Sequence, residues 1–360
     1  MKFAIVHDWL TNMGGAEQVI INLKEIYNDA PIYTTFYNPD NLDDKLKNLD
    51  VRTSFLQKKK MITNHKKYFP LMPLAFENFN LNEYDVVMSV STCCAKGVIT
   101  KPGSVHICYC NTPMRYAWEK KEDYIEGAGK LKRRLIKLLL HYMRIWDYSS
   151  SARVDYFIAN STEVQKRIKK HYKRDSIVIN PPVRCNLFNI SNVDKDYYLV
   201  LSRLVGYKRF DLAVEACSQL GKKLIVIGDG PEKEKLMQLA NENVEFLGKQ
   251  HDDVVKKYMS ECKALLFPGE EDFGIVPVEA QASGRPVIAY GKGGVLDSVI
   301  DGKTGVFFKE QTVDSLKDAI LKFENMKFNK EEIRQHSLKF DESVFQKKIK
   351  EYVEECVKNN

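Results

Sequence analysis

Short, almost uninterrupted apolar runs alternate along this chain with stretches of helical periodicity, and that alternation limits the fold more than any other feature. Phe3-Ala4-Ile5-Val6 ends at His7-Asp8; Gly14-Gly15 then opens Ala16 to Tyr27, where Val19, Ile20, Leu23 and Ile26 recur at helical spacing. Further strands are predicted at Ile32 to Phe36, Asp85 to Val90, Val105 to Cys110, Tyr156 to Ala159 and Ile177 to Ile179. After a polar stretch from Asn189 to Asp196 a second series begins, with strands at Tyr198 to Ser202, Leu224 to Ile227, Val244 to Leu247, Ala264 to Phe267 and Val287 to Ala289, separated by amphipathic stretches such as Phe210 to Leu220. A strand without polar alternation needs cover on both faces, which is the parallel, doubly wound sheet. A chain of 360 residues also exceeds what one core usually serves. The expected architecture is therefore α/β, with two Rossmann-like domains facing each other across a cleft. The boundaries are set at 1–190 and 191–340, and a last helical pattern at about 341–358 is free to pack back on the first domain.

Composition narrows the function. Hydrophobic residues make up 44% and charged residues 29% of the chain, as in folded rather than disordered proteins. No run of about 18 apolar residues occurs, and the opening segment meets a charge before a signal-like stretch can form, so a cytoplasmic location is expected. Eight cysteines, without a CxxC pair or zinc-like histidine spacing, are expected to be reduced and structural. The net charge of +7 gathers at Lys58 to Lys60, at Lys66 and Lys67, and from Lys130 to Arg144. Aromatic residues are not interleaved there as in RNA-binding modules, so nucleic acid is not an expected partner.

In doubly wound sheets ligands bind beyond the C-terminal strand ends. Arg203 follows one predicted strand and Lys208 comes five residues later, at the start of a helix. A guanidinium and an ammonium so placed suit a diphosphate, whose leaving gathers negative charge; the plain alternative is two solvated cations. Pro268 to Glu279 follows another strand and leads into a helix. Carboxylates beside a core need partners, and sugar hydroxyls supply them. Glu271 suits the sugar and Glu279 the ribose, while backbone N–H groups from Phe273 through Gly274 and Ile275 to Val276 suit phosphate. For Glu270 and Asp272, complementing the helix dipole explains the charge.

Arg203, Lys208, the pair Glu271 and Glu279, Gly228-Asp229-Gly230-Pro231 after a strand, and Gly293-Gly294 before Asp297 together resemble family 4 of the retaining glycosyltransferases. Gly14-Gly15-Ala16-Glu17 and the run from Cys110 and Asn111 through Thr112-Pro113-Met114-Arg115 to Trp118 resemble its bacterial surface-polysaccharide mannosyltransferase branch, and the similarity extends from Met1 to about Phe308. The resemblance implies the GT-B fold and a hexosyltransferase taking a GDP- or UDP-sugar, with GDP-mannose favoured. Arg203 and Lys208 would hold the diphosphate, Glu279 the ribose and Glu271 the sugar, with Gly228 and Gly230 beside them. Arg203, Lys208 and Glu271 are the catalytic candidates. Gly14 and Gly15 would approach phosphate or acceptor from the first domain, glycine permitting close contact and positive φ, unless they form an ordinary strand-to-helix turn. Asp8, Asn111 and Arg115 are acceptor-side candidates, with a structural salt bridge as the alternative for Asp8 and Arg115. Two positions depart from the pattern: Asn111 stands where branch members often carry histidine and cannot act as a general base, and Asp297 stands in a glutamate place.

Retention, as the family implies it, needs no protein nucleophile: the acceptor hydroxyl attacks the face the diphosphate leaves, so charge stabilisation and alignment dominate. No cofactor and no metal are expected, because Arg203 and Lys208 supply the positive charge. The acceptor is a saccharide, free or lipid-linked. From Lys130 to Trp146, apolar residues at helical spacing share a helix with basic ones and no acid intervenes. That helix suits an anionic membrane surface or, equally, a core contact with a solvated basic face. A nucleotide-sugar epimerase and a non-catalytic sugar-nucleotide-binding protein are the competing readings.

Overall fold

Each apolar run forms a strand, and every pairing among the named strands is parallel. The computed structural model describes residues 1–62, 65–119 and 129–360. It divides into one unit of Met1–Pro182 with Phe345–Asn360, and another of Val183–Val344.

The first unit holds a sheet of order β3-β2-β1-β4-β5-β6-β7, built from β1 (Phe3–His7), β2 (Ile32–Thr34), β3 (Val51–Thr53), β4 (Val86–Ser91), β5 (Val105–Cys110), β6 (Tyr156–Ala159) and β7 (Ile177–Val178). Side chains leave a strand on alternate faces. Ile5, Met88 and Ile107 join one core, beneath the Gly15–Ile26 helix and the C-terminal Glu342–Lys358 helix, which contributes Phe345, Ile349 and Val353. Ala4, Val6 and Val87 join a second core on the other face, with Leu140 and Met143 of the Lys130–Ser151 helix. Two covered faces explain why these strands lack polar alternation.

The second sheet has the order β10-β9-β8-β11-β12-β13, from β8 (Tyr198–Leu201), β9 (Leu224–Ile227), β10 (Val244–Gly248), β11 (Ala264–Phe267), β12 (Val287–Tyr290) and β13 (Gly305–Phe308). It is likewise two-sided: Val200, Val226 and Leu266 face one core, and Leu199, Ile225 and Leu265 the other.

Three expectations are corrected. Strands β3 and β13 go unforeseen: Val51-Arg52-Thr53 is a half-exposed edge strand with one apolar residue, and β13 is a four-residue run behind a turn. The division falls at Pro182–Val183, so the polar stretch 189–196 lies inside the second unit. Val183, Cys185 and Phe188 are in that unit's core, and Asp194 pairs with Arg285 (2.5 Å) and Lys330 (2.6 Å). Asp196 pairs with Lys263 (2.9 Å). Finally, the core contact left open for the 130–146 helix is partial: of Leu138, Leu139 and Leu140 only Leu140 is fully buried, and Leu138 is exposed. All eight cysteines are buried and free of disulfides.

The Lys130–Ser151 helix is fixed by a buried polar network. Lys96 and Asp147 form an ion pair with almost no solvent exposure, and Asp147 also accepts from Trp118 Nε1 (2.7 Å) and the Tyr172 hydroxyl (3.0 Å). Burial opposes the charge on Lys96, but Asp147 outweighs it and raises the ammonium's pKa. Removing one partner of such a pair typically costs about 3–5 kcal/mol.

Candidate functional site

In the second sheet the order reverses between β8 and β11, and the crevice outside such a reversal is where open α/β sheets bind ligands. Strand β8 runs into Ser202-Arg203 and β11 into the loop 268–274. Within this crevice the Lys208 ammonium donates to a Glu271 carboxylate oxygen, both side chains being largely buried. Gly269 permits the approach, because a Cβ there would lie 2.8 Å from Lys208 Cα. Lys208 ends the turn Gly206–Lys208, and Arg209 follows at φ 51°, a left-handed conformation that costs a non-glycine residue roughly 1 kcal/mol or more.

That conformation is braced. The Arg209 guanidinium donates to Asp211 (3.0 Å) and to Gln311 Oε1 (3.4 Å), and Gln311 Nε2 donates to the Pro268 carbonyl (2.8 Å). Gln311 thus ties the loop carrying Lys208 to the loop carrying Glu271. Its sequence context, a polar residue between a strand and a helix, gave no signal of this.

The glycines position loops. A Cβ at Gly228 (φ 140°) would sit 1.8 Å from the Ser202 carbonyl oxygen, and one at Gly230 would sit 2.3 Å from that of Leu204. Leu204 N–H also donates to the Asp229 carbonyl (2.9 Å), so these two glycines shape the Arg203 turn. Gly293 and Gly294 press likewise on the acidic loop, where a Cβ would lie 2.6 Å from the Glu271 carbonyl oxygen and 2.1 Å from that of Asp272. Arg203 itself is exposed and makes no ion pair among the described residues.

Gly274, at φ 87°, starts the Ile275–Ala282 helix. The first-turn N–H groups of Ile275 and Val276 have no intrahelical acceptor, and the next residue, Pro277, has no N–H to satisfy. Phe273 contributes only backbone here, because its ring is buried against Phe340 at 5.7 Å between centroids. Glu279 lies on the same helix, partly exposed as a residue but with its carboxyl crowded by protein. Burial pushes that carboxyl up to about 7; Asp252 adds to the rise and Arg184 opposes it. An acid so perturbed, next to an anion-ready helix start, is a candidate binding position.

The corresponding reversal in the first sheet lies between β1 and β4, and the chain fills it with its own carboxylate. Asp8 is buried and accepts from the backbone N–H groups of Thr92 (2.6 Å), Cys93 (2.9 Å), Cys94 (2.7 Å) and Ala95 (2.8 Å), and from the Thr92 hydroxyl (2.9 Å). The acceptor-side reading of Asp8 is therefore corrected: its oxygens are occupied by structure. The salt-bridge alternative fails too, since backbone donors hold it. Gly14 is at φ −166°, ordinary extended backbone, and neither it nor Gly15 has positive φ. Space at Gly14 is tight, since a Cβ there would lie 3.1 Å from Glu17 Oε2. Glu17 faces buried His7 at 3.4 Å; burial disfavours charge on His7, but Glu17, Asp8 and the Val90 carbonyl together raise its pKa.

Strands β5 and β6 end side by side, with Cys110 opposite Ala159. The next residues, Asn111 and Asn160, are buried, and among the described residues neither Asn111 Nδ2 nor Asn160 Oδ1 has a hydrogen-bond partner; the Thr112 hydroxyl also lacks one there. Such groups are costly unless a ligand or water satisfies them. Thr112 and Asn160 were missed in the sequence; the Asn160-Ser161 pair after a strand was the available signal. Arg115 is half-buried at the start of the Arg115–Trp118 turn.

Comparison with known proteins bears on this geometry. The glycosyl transferases group 1 family matches residues 187–339. An uncharacterized glycosyltransferase of Methanocaldococcus jannaschii is 30% identical over 185 residues, covering 50% of this chain and 51% of that protein. The alpha-1,3/1,6-mannosyltransferase ALG2 of Dictyostelium discoideum is 30% identical over 210 residues, covering 50% of this chain and 48% of that protein. The match thus spans about half the length of these relatives. Among solved structures, Anabaena HepE in complex with UDP is similar at TM-score 0.72 and 18% identity, covering 99% of this chain and 100% of that one, a likeness of fold. The second unit thus carries a glycosyl transferases group 1 domain over residues 187–339, and the two doubly wound sheets have the fold of the GT-B class.

Proposed function

We propose that this chain is a retaining hexosyltransferase that moves a sugar, with mannose from GDP-mannose favoured, from a nucleotide diphosphate donor to a saccharide acceptor. The observation that carries the reading is the Lys208–Glu271 pair at the strand-order reversal of the second sheet. Without donor, the two groups neutralise each other; with donor, Lys208 and exposed Arg203 turn to the diphosphate, and Glu271 is left to accept from sugar hydroxyls. Ile275 and Val276 N–H groups serve the phosphate, and Glu279 accepts from the ribose. The bond from the sugar's anomeric carbon to the phosphate oxygen breaks, the bond to the acceptor oxygen forms on the same face, and the acceptor proton passes to the departing diphosphate. The two cations stabilise that leaving group without a metal.

On the acceptor side, Asn111, Thr112 and Asn160 offer donor and acceptor groups that match sugar hydroxyls. A lipid-linked saccharide, met at the cytoplasmic membrane face, is the acceptor this reading favours. The likeness to the mannosyltransferase ALG2 supports mannosyl transfer, and HepE's bound UDP makes uracil the competing base. The test is saturation-transfer NMR with GDP-, UDP- and ADP-sugars on wild type and Glu279→Ala. One nucleotide class should bind, more weakly in the variant; unchanged affinity removes Glu279 from the site, and donor isomerised without acceptor would establish an epimerase instead.

A further inference from the structure

The Lys130–Ser151 helix buries one side against the first unit's core and leaves a second apolar side in solvent. Leu131, Leu135, Leu138, Tyr142 and Ile145 are exposed by 54% to 74%. At 100° per residue these five fall within a band about 80° wide and about 21 Å long. Buried Leu140, Met143, Asp147 and Ser150 occupy the sector on one side of that band. Exposed Lys130, Arg133, Arg134 and Lys137 occupy the sector on the other, and no acid occurs from Lys130 to Trp146. The exposed surface is therefore an apolar stripe edged by a cationic one.

The geometry points to this stripe as a docking surface for an anionic lipid bilayer, with the helix lying in the interface plane. Exposed apolar residues in a continuous row are not the ordinary state of a soluble helix, whose polar side faces water. Burying them in the acyl boundary places the neighbouring lysines and arginines level with phosphate headgroups, the arrangement of interfacial helices. Among the described residues no helix is long and apolar enough to cross a membrane, so the contact is peripheral. The four-three spacing of the stripe also resembles the seam between two paired helices. A second copy is the poorer occupant, because pairing would bring two acid-free cationic edges together. The Lys96–Asp147 pair holds the helix to its unit while the outer face engages. In identifying this surface as the one that meets a lipid-linked acceptor, the inference rests on the transferase reading; the docking itself does not.

The test is co-sedimentation of the full chain with phosphatidylcholine vesicles, with and without about one third phosphatidylglycerol. Three proteins are compared: wild type, Leu135→Ser/Leu138→Ser/Tyr142→Ser, and Arg133→Glu/Arg134→Glu/Lys137→Glu. Wild type should bind anionic vesicles, release at high salt and ignore neutral ones. Each variant should lose at least about tenfold in partitioning. Nucleotide-sugar binding, measured on the same preparations, should be unchanged in both. That measurement shows each variant is folded and separates a failed membrane surface from a failed donor site. Equal vesicle binding by wild type and variants, or none by wild type, overturns the proposal. So does a wild-type dimer that the serine variant dissociates and vesicles do not.

Discussion

If Glu279 holds the donor as proposed, donor binding is a function of pH, and the size of the effect follows from the surroundings of its carboxyl. Its carboxyl is pushed up to about 7, because burial and Asp252 outweigh Arg184; Lys208 and Glu271 neutralise each other, and Arg203 is exposed to solvent. A ribose needs the ionised form as acceptor. If donor binds only that form, the apparent dissociation constant at pH 6 exceeds that at pH 8 by about tenfold, or ~1.4 kcal/mol. Binding near neutrality should also release a proton. The sign for stability is opposite: a carboxyl with a raised folded pKa favours the fold below its unfolded value, and that contribution fades as pH climbs through about 7. Glu279→Gln should therefore bind donor weakly at every pH, yet gain stability at pH 8, by no more than about 3 kcal/mol given the side chain's partial exposure. The assay is calorimetric titration with an intact nucleotide sugar, whose phosphates do not titrate in this range, in two buffers of different ionisation heat. Equal affinities at pH 6 and pH 8, or the same pH slope in the Gln variant, would refute the reasoning.

Other outcomes follow from the same geometry. Lys208→Ala should lower kcat/KM by roughly 10²–10³-fold, since it removes leaving-group stabilisation and strands Glu271; a steady-state assay with the donor identified by NMR checks this. Gly228→Ala should abolish donor binding and destabilise the second unit by roughly 2–4 kcal/mol in urea unfolding, because its methyl overlaps the Ser202 carbonyl. Asp8→Ala should cost about 3–5 kcal/mol of stability, read from the same unfolding curves, by leaving its backbone donors buried and unpaired. His106 is buried with its pKa lowered to about 4, chiefly by burial. Its contribution to stability is present above about 6.5 and lost as pH falls towards 4, so acid unfolding of wild type should be steeper over that window than that of His106→Phe.

How much of this could be read from sequence depends on whether a feature is local. Strands such as Leu224–Ile227 and Ala264–Phe267 were legible because a two-sided sheet writes apolar character into consecutive residues. Lys208 and Glu271 were legible as groups just beyond the strands that became β8 and β11, but their direct ion pair was not. Residue type alone misled at Asp8: a carboxylate after a strand looks like a ligand group, and only the fold shows four backbone donors from a distant turn converging on it. Gln311 acts through partners dozens of residues away, so no spacing announces it. Gly228 and Gly230 stood out in the sequence as a glycine pair after a strand, but their pressure on Ser202 and Leu204 is a three-dimensional fact.

The absent methyl groups around this crevice interlock. Gly228 and Gly230 rest on the Arg203 turn, Gly269 on Lys208, and Gly293 and Gly294 on the acidic loop. Backbone touches backbone at each point, so the recess has the character of a rigid casting and not of a glove that moulds to its contents. Altering the choice of sugar or base by grafting one loop from a relative would displace its neighbours in turn. A redesign would do better to leave the scaffold untouched and vary only protruding side chains such as Tyr207, which is exposed beside the Lys208 ammonium.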